Sequence, residues 1–148
     1  MSQFYFHKIL VPLDGSQNSF RALSYACSLA ESCKGSLELL YVVHLTKEIS
    51  AYTQINSIAI PDSVIADAQE NGENILAQGL RQIPAAISAT SSIEIGLPPD
   101  KIVEISRKKK ADLIIIGSRG LGVLQGILMG SVSNYVVHHA NCPVMVVK

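Results

Sequence analysis

The chemistry in this chain is concentrated in Gly117-Ser118-Arg119-Gly120, a spacer of nine residues, and then Gly130-Ser131. Glycine has no Cβ, so a backbone built from it can approach an anion closely. A helix opening at Gly130-Ser131, with Ser131 as its cap, leaves the N–H groups of Val132, Ser133 and Asn134 unpaired. Those donors sit at the positive end of the helix dipole, which suits a phosphate. Arg119 is either an exposed loop charge or a further contact to that anion. A second candidate is Asp14, in Pro12-Leu13-Asp14-Gly15. It either caps the helix that follows or meets a ligand at the end of a strand.

Two familiar phosphate motifs are excluded. The Walker loop needs Lys directly before a helix-opening Ser or Thr, and Met129-Gly130-Ser131 offers none. Gly120-Leu121-Gly122 with Gly126 imitates a dinucleotide fingerprint, but that fingerprint follows the first strand of a βαβ unit and is answered by an acidic residue about 20 positions on. No acidic residue lies between Gly120 and Lys148. A phosphoacceptor domain needs an acid pair after strand one and a central Asp after strand three; the third strand here runs into Gly96-Leu97-Pro98.

The elements that must position these residues follow from periodicity. Ile9 to Leu13 is a buried strand. Ser16 or Asn18 starts a helix with Phe20, Leu23, Cys27 and Ala30 on one face, stopped by Gly35. Leu37 to Val43 is apolar nearly throughout, as a strand covered on both faces should be. His44 to Ile60 has no pattern and reads as a long connection, the kind used for lids and binding loops. Pro61 opens a helix with Ile65, Ala68, Gly72, Ile75, Leu76, Leu80 and Ile83 inward; Asn71-Gly72 is a turn signal within it. Ser91 to Ile95 is a third strand. Pro98-Pro99-Asp100 starts a helix with Ile102 and Ile105 inward, ending at Lys108 to Lys110. Ala111 to Ile116 is the fourth strand, Ser131 begins a last helix, and Pro143 to Val147 is the last strand. The alternation predicts one α/β domain over 1–148: a five-stranded parallel sheet sandwiched by helices, open and doubly wound, with right-handed crossovers. Ligands of such sheets bind beyond the carboxyl ends of the strands where the winding reverses, and the strands ending at Asp14 and Gly117 are the ones expected to flank that point.

Composition narrows the function classes. The chain has 148 residues, with 12 Lys+Arg against 12 Asp+Glu. With no basic excess to neutralise phosphates along a polymer, nucleic-acid binding is not expected. Apolar runs are strand-sized and the amino terminus lacks a signal-peptide pattern, so neither membrane insertion nor export is expected, and the expected location is the cytoplasm. Cys27, Cys33 and Cys142 are unclustered and read as small buried hydrophobes in a reducing compartment. His138 and His139 are adjacent on a helix and point about 100° apart, so they do not share a metal ion, and no metal site is expected.

Gly117-x2-Gly120-x9-Gly130-Ser131, with Asp14 after the first strand, resembles the ATP-binding class of the universal stress protein family. The likeness extends over the whole chain, through Lys8 to Ser16, Ala111 to Gly120 and Cys142 to Val147. It implies an open Rossmann-like fold of the adenine nucleotide hydrolase type. By that resemblance Pro12 and Asp14 border adenine and ribose, Val42 contacts adenine, and Ile116 and Gly117 border the nucleoside. Gly120, Gly130, Ser131 and Val132 hold the phosphates, with Arg119 beside them. Leu13 stands where relatives often carry a small polar residue. The resemblance further implies ATP, with Mg or Mn held mainly by its phosphates. It implies a homodimer through antiparallel last strands, and a stress-linked regulatory role read by an unidentified protein partner, with no catalytic residues. The alternative is a slow ATPase or nucleotidyl-transfer enzyme on the same site. Related adenylating enzymes carry Ser-Gly-Gly-x-Asp-Ser after strand one, whereas this chain has Leu13-Asp14-Gly15-Ser16. His44 is the histidine near a strand end that such chemistry would have to use.

Overall fold

The computed structural model describes residues 5–45, 61–120 and 129–148. In chain order these form β1 (Lys8–Pro12), α1 (Gln17–Cys33), β2 (Ser36–His44), α2 (Asp62–Gln82), β3 (Ala89–Gly96), α3 (Pro98–Lys108), β4 (Leu113–Gly117), α4 (Ser131–His139) and β5 (Val144–Val147). The strands make one five-stranded sheet in the order β3-β2-β1-β4-β5. Every pairing is parallel. The chain therefore winds outward from β1 in both directions, and the reversal falls between β1 and β4, as the sequence predicts.

The central strands are apolar at successive positions because each face has its own core. Ile9, Val11, Leu37, Leu39, Leu113 and Ile115 meet Ala22, Leu23, Ala26 and Ala30 of α1 and Leu76 of α2. On the other face Leu10, Leu40, Ile114 and Ile116 meet Ile102, Val103 and Ile105 of α3 and Val136 of α4. Tyr135 joins the two helices of that layer, its hydroxyl donating to Asp100 Oδ1 at 2.7 Å. That bond holds the phenol above its ordinary pKa. Asp112 Oδ2 accepts from the N–H groups of His7 and Lys8 at 3.0 and 2.9 Å, fixing the chain where it enters β1.

Several expectations need correction. β1 ends at Pro12, although Leu13 still donates to Leu40 O at 2.8 Å. The buried face of α1 is Ser19, Ala22, Leu23, Ala26 and Ala30, with Phe20 and Cys27 only flanking it. β3 is longer than Ser91–Ile95 because it pairs with β2 from Ala89 to Gly96, a length its polar residues conceal. The three cysteines are half-buried free thiols, and burial pushes those of Cys27 and Cys142 up. The patternless stretch of the sequence falls, from residue 46 to 60, outside the described residues.

One polar residue interrupts the apolar run of β2. Glu38 is buried, and its carboxylate accepts hydrogen bonds from Thr90 Oγ1 and, at 3.2 Å, Ser92 Oγ of β3. Lys109 Nζ lies 3.6 Å away. A carboxylate removed from water in this way is tolerable only when such partners surround it.

Helix α2 runs unbroken through Asn71-Gly72, because Gly72 is buried against the Tyr41 ring while Asn71 Nδ2 donates to the Tyr41 hydroxyl at 3.3 Å. Leu80 is exposed, and Gly79 takes the inward position. An exposed mid-helix Gly replaced by Ala ordinarily gains about 1 kcal/mol. At Gly72 the added Cβ lies 2.4 Å from a Tyr41 ring carbon, so the sign reverses. Gly72→Ala is expected to lower the unfolding free energy by about 1–3 kcal/mol in urea titrations. Unchanged or raised stability would show that Tyr41 yields without cost.

Candidate functional site

The carboxyl ends of β1 and β4 are adjacent, and two segments rise from them. After β1 the chain turns through Asp14-Gly15, Gly15 adopting φ +89°. Asp14 Oδ1 accepts from Ser16 N at 2.9 Å, which shapes that turn. The cap of α1 is Ser16, whose Oγ accepts from Ser19 N at 3.1 Å; it is neither Asn18 nor Asp14. Asp14 is thereby released from capping and leans across the crevice. A Cβ placed on Gly120 would lie 2.4 Å from Asp14 Oδ2, so the glycine loop and this carboxylate are already in touch.

After β4 the loop leaves through Gly117 and Ser118. Ser118 is 2% exposed. Its N–H donates to Val147 O at 2.7 Å, continuing the β4–β5 ladder. Its carbonyl accepts twice, from Gly130 N at 2.6 Å and from Ser133 Oγ at 2.9 Å. Its hydroxyl accepts from Asn18 Nδ2 at 3.4 Å. The two feet of the loop are thus tied to each other and to the start of α1. Sequence reasoning assigned no such role to Ser118, Ser133 or Asn18. The sequence carries no signal for them, since Ser131 already reads as the cap of that helix and the bonds of Ser118 join residues far apart in the chain.

That helix corrects another expectation. The N-cap of α4 is Gly130, and Ser131 is the first helical residue, exposed. Asn134 N–H donates to Gly130 O at 3.0 Å, so the donors without a bond among the described residues are those of Ser131, Val132 and Ser133. The amino end of α1 is capped by Ser16, α2 carries Asp62 in its first turn and α3 carries Asp100. α4 has neither a side-chain cap nor an acid. Its positive end is the one left uncompensated among the described helices, and it faces the crevice.

The glycines differ in why they are glycine. A Cβ at Gly117 would lie 2.9 Å from the Asn18 backbone, so Gly117 is needed for α1 to pack against β4. Gly120 is constrained by Asp14. Gly130 has φ −74°, which any residue adopts, and a Cβ there would meet its nearest neighbours at 3.4 Å and 3.7 Å, ordinary contact. Nothing in the described protein requires glycine at 130.

The remaining predicted residues fall around this point. Pro12 is half-buried at the end of β1. Val42, Ile116 and Val132 lie on the α3/α4 side of the sheet, Ile116 buried and the other two packed against the same core. Arg119 is exposed beside Gly120. Leu13 is buried against α2, where a polar side chain would have no place. His44 ends β2 opposite Gly96 of β3, one strand away from the β1–β4 crevice. Gly122 and Gly126 lie outside the described residues. Among those described, no three of His, Cys, Asp and Glu converge as a metal cage would require. No described helix is long and apolar enough to cross a membrane.

Comparison with known proteins agrees with this architecture. Residues 6–148 match the universal stress protein family. The universal stress protein MJ0531 of Methanocaldococcus jannaschii is 31% identical over 144 residues, covering 97% of this chain and 82% of that one. Among solved structures, the hypothetical protein MJ0577 superposes with a TM-score of 0.84 at 27% identity, covering 98% and 97% of the two chains. A universal stress protein solved in complex with cAMP shares the fold, with a TM-score of 0.73 at 24% identity and coverage of 98% and 99%. With a matched length that takes in every described strand and helix, this chain belongs to the universal stress protein family.

Proposed function

We propose that this protein binds an adenine nucleotide, ATP foremost, in the crevice between the carboxyl ends of β1 and β4, and that it acts as a nucleotide-linked regulator. The observation that carries this reading is the amino end of α4. It combines three unpaired N–H groups, an uncompensated dipole and a glycine at 130 that the surrounding protein does not need. A phosphate occupying that space explains all three. The cAMP complex of a structural neighbour supports an adenine nucleotide as the ligand class.

In this arrangement the N–H groups of Ser131, Val132 and Ser133 and the Ser131 hydroxyl hold phosphate oxygens; Gly130, whose own N–H is spent on Ser118 O, gives them room by lacking a Cβ, and Gly120 and Arg119 close from the loop. Asp14 accepts a ribose hydroxyl. Pro12, Val42, Ile116 and Gly117 border the nucleoside. A Mg or Mn ion would take its ligands chiefly from the phosphates, since the side-chain donors at hand are Asp14 and Ser131. The nucleotide orders the loop whose feet Ser118 and Ser133 already hold. A partner in the cytoplasm then reads the ordered form, to the extent that it discriminates bound from free protein.

A homodimer through β5 belongs to the same proposal. β5 is an edge strand, Met145 is 38% exposed, and the strand carries no charge and no Pro. Pro143 O and Val147 O accept from β4, so Val144 and Val146, which alternate with them, turn their N–H and C=O groups outward. Antiparallel pairing with a second copy satisfies that row across a two-fold axis.

Two measurements test these readings. ATP at 100-fold over its dissociation constant is expected to stabilise the protein by about 2.7 kcal/mol in thermal unfolding. Gly130→Val is expected to fold with a loss of about 1 kcal/mol from the poorer cap and to bind ATP at least about tenfold more weakly. A folded variant with unchanged ATP affinity overturns the phosphate assignment. Gly120→Val is not equivalent, since it also strikes Asp14. For the dimer, Val146→Pro removes an outward N–H and spares the β4 ladder. Sedimentation at micromolar concentration is expected to give a dimer for the unaltered protein and a monomer for the variant, with ATP binding retained. A monomeric unaltered protein contradicts the edge pairing.

A further inference from the structure

The opposite edge of the sheet differs from β5 in length and in charge. β3 has eight residues against four in β5. No described segment pairs with its outer side. Leu37 N donates to Ser88 O at 2.9 Å, so Ser88, Thr90, Ser92 and Glu94 face β2. Ala89, Ser91, Ile93 and Ile95 alternate with them and turn their N–H and C=O groups outward. The strand contains no Lys, Pro or charge except Glu94, and so lacks most of the devices that close a natural edge.

Beside this edge runs a groove of about 450 Å³, lined by Gln69 and Glu73 of α2 and by Ile93, Glu94 and Ile95 of β3. Gln69 and Glu73 are four residues apart and share one helix face. Ile95 is 38% exposed. Glu94 has Lys101 at 3.9 Å, whereas Glu73 has no ion-pair partner among the described residues. The groove therefore offers a hydrogen-bonding row, an apolar floor and an acidic wall.

We propose that the outer edge of β3 receives an extended segment of another protein as an added strand, one that alternates basic and apolar residues. The main chain supplies binding through the outward groups of Ser91, Ile93 and Ile95. With a period of two, the segment's basic side chains all fall on the face of the sheet that carries α2, their aliphatic stems along Ile93 and Ile95 and their charged ends at Glu73, and its apolar side chains fall on the other face. A second copy of this chain fits poorly here. Two-fold pairing of β3 edges would set Glu73 and Glu94 of one copy against the same residues of the other. The two edges are thus marked for different occupants, the uncharged one for self-pairing and the acidic one for a foreign strand. This inference is independent of nucleotide binding.

The test uses the full chain and a blocked nine-residue peptide alternating Lys and Val, titrated calorimetrically. The peptide is expected to bind, and its Glu-Val counterpart to bind at least about tenfold more weakly. The Lys-Val peptide with every backbone amide methylated keeps its charge but cannot join a ladder, and is also expected to lose at least about tenfold. Ser91→Pro removes one outward N–H and no bond to β2, and Glu73→Gln removes the unpaired charge. Each is expected to weaken binding while circular dichroism is unchanged. Equal affinity for the methylated peptide, or for a folded Ser91→Pro variant, reduces the effect to charge adhesion and overturns the proposal. Absence of binding below about 1 mM overturns it too, as does conversion of a dimer to a monomer by Ser91→Pro, which assigns the edge to a second copy. If Ser91→Pro fails to fold, the methylated peptide on the unaltered protein decides the question.

Discussion

The pairing of β1 with β4 is the constraint on which the rest depends. Parallel strands need crossovers, and crossovers of one hand place successive helices on one face as long as the chain moves one way along the sheet. Moving from β1 to β2 and β3 commits α1 and α2 to one side. Moving from β3 back to β4 and on to β5 commits α3 and α4 to the other. At the reversal the connections diverge, and the carboxyl ends of β1 and β4 are left open between α1 and α4. Asp14, Gly117, Ser118 and Gly130 come together because of that topology, although more than 100 residues separate the first from the others.

Within the crevice, rigidity and freedom are divided. Ser118 is the fixed point, joined to β5, to Asn18 and to both ends of the loop it begins. The loop cannot move at its feet without breaking several bonds at once. The donors of α4 that a ligand would use are spared from this network. The hydroxyl of Ser133 turns back to Ser118 and Gly130, while the backbone N–H groups of residues 131 to 133 face outward. Local hydrogen bonds so anchor the frame and leave the N–H groups at the amino end of α4 unspent.

Much of this was legible in the sequence. Strands covered on both faces announce themselves as apolar runs, and Gly-rich segments between a strand and a helix carry their own geometry. The whole strand–helix order and the point of reversal followed from these. The misreadings have physical reasons. β3 is an edge strand whose polar residues face solvent and Glu38, so its length left no hydrophobic trace. Asn71-Gly72 looks like a turn because neither residue shows that an aromatic ring on another element fills the space a side chain would need. The cap of α4 was misplaced by one residue because Ser is the commoner cap, and Gly130 gains nothing visible from its own chain. The hydrogen bonds of Ser118 link residues far apart in sequence and leave no periodicity to read.

Glu38 has a consequence beyond its local cost. A strand normally finds its alignment through the side chains it must hide, and a shift of one residue is expensive because it turns the apolar set toward water. In β3 only Ala89 and Ile93 pack against the core, and Thr90, Ser91 and Ser92 add no preference of this kind, since hydroxyls suit either face. The buried carboxylate adds to what those two residues give. Thr90 and Ser92 are two apart and point the same way, so both reach Glu38 in one alignment, and sliding by a single residue removes both. A leucine at 38 would take the acceptor from Thr90 and Ser92 and leave β3 without this index. The charge acts as a ratchet tooth, setting where the outermost strand stops along its neighbour.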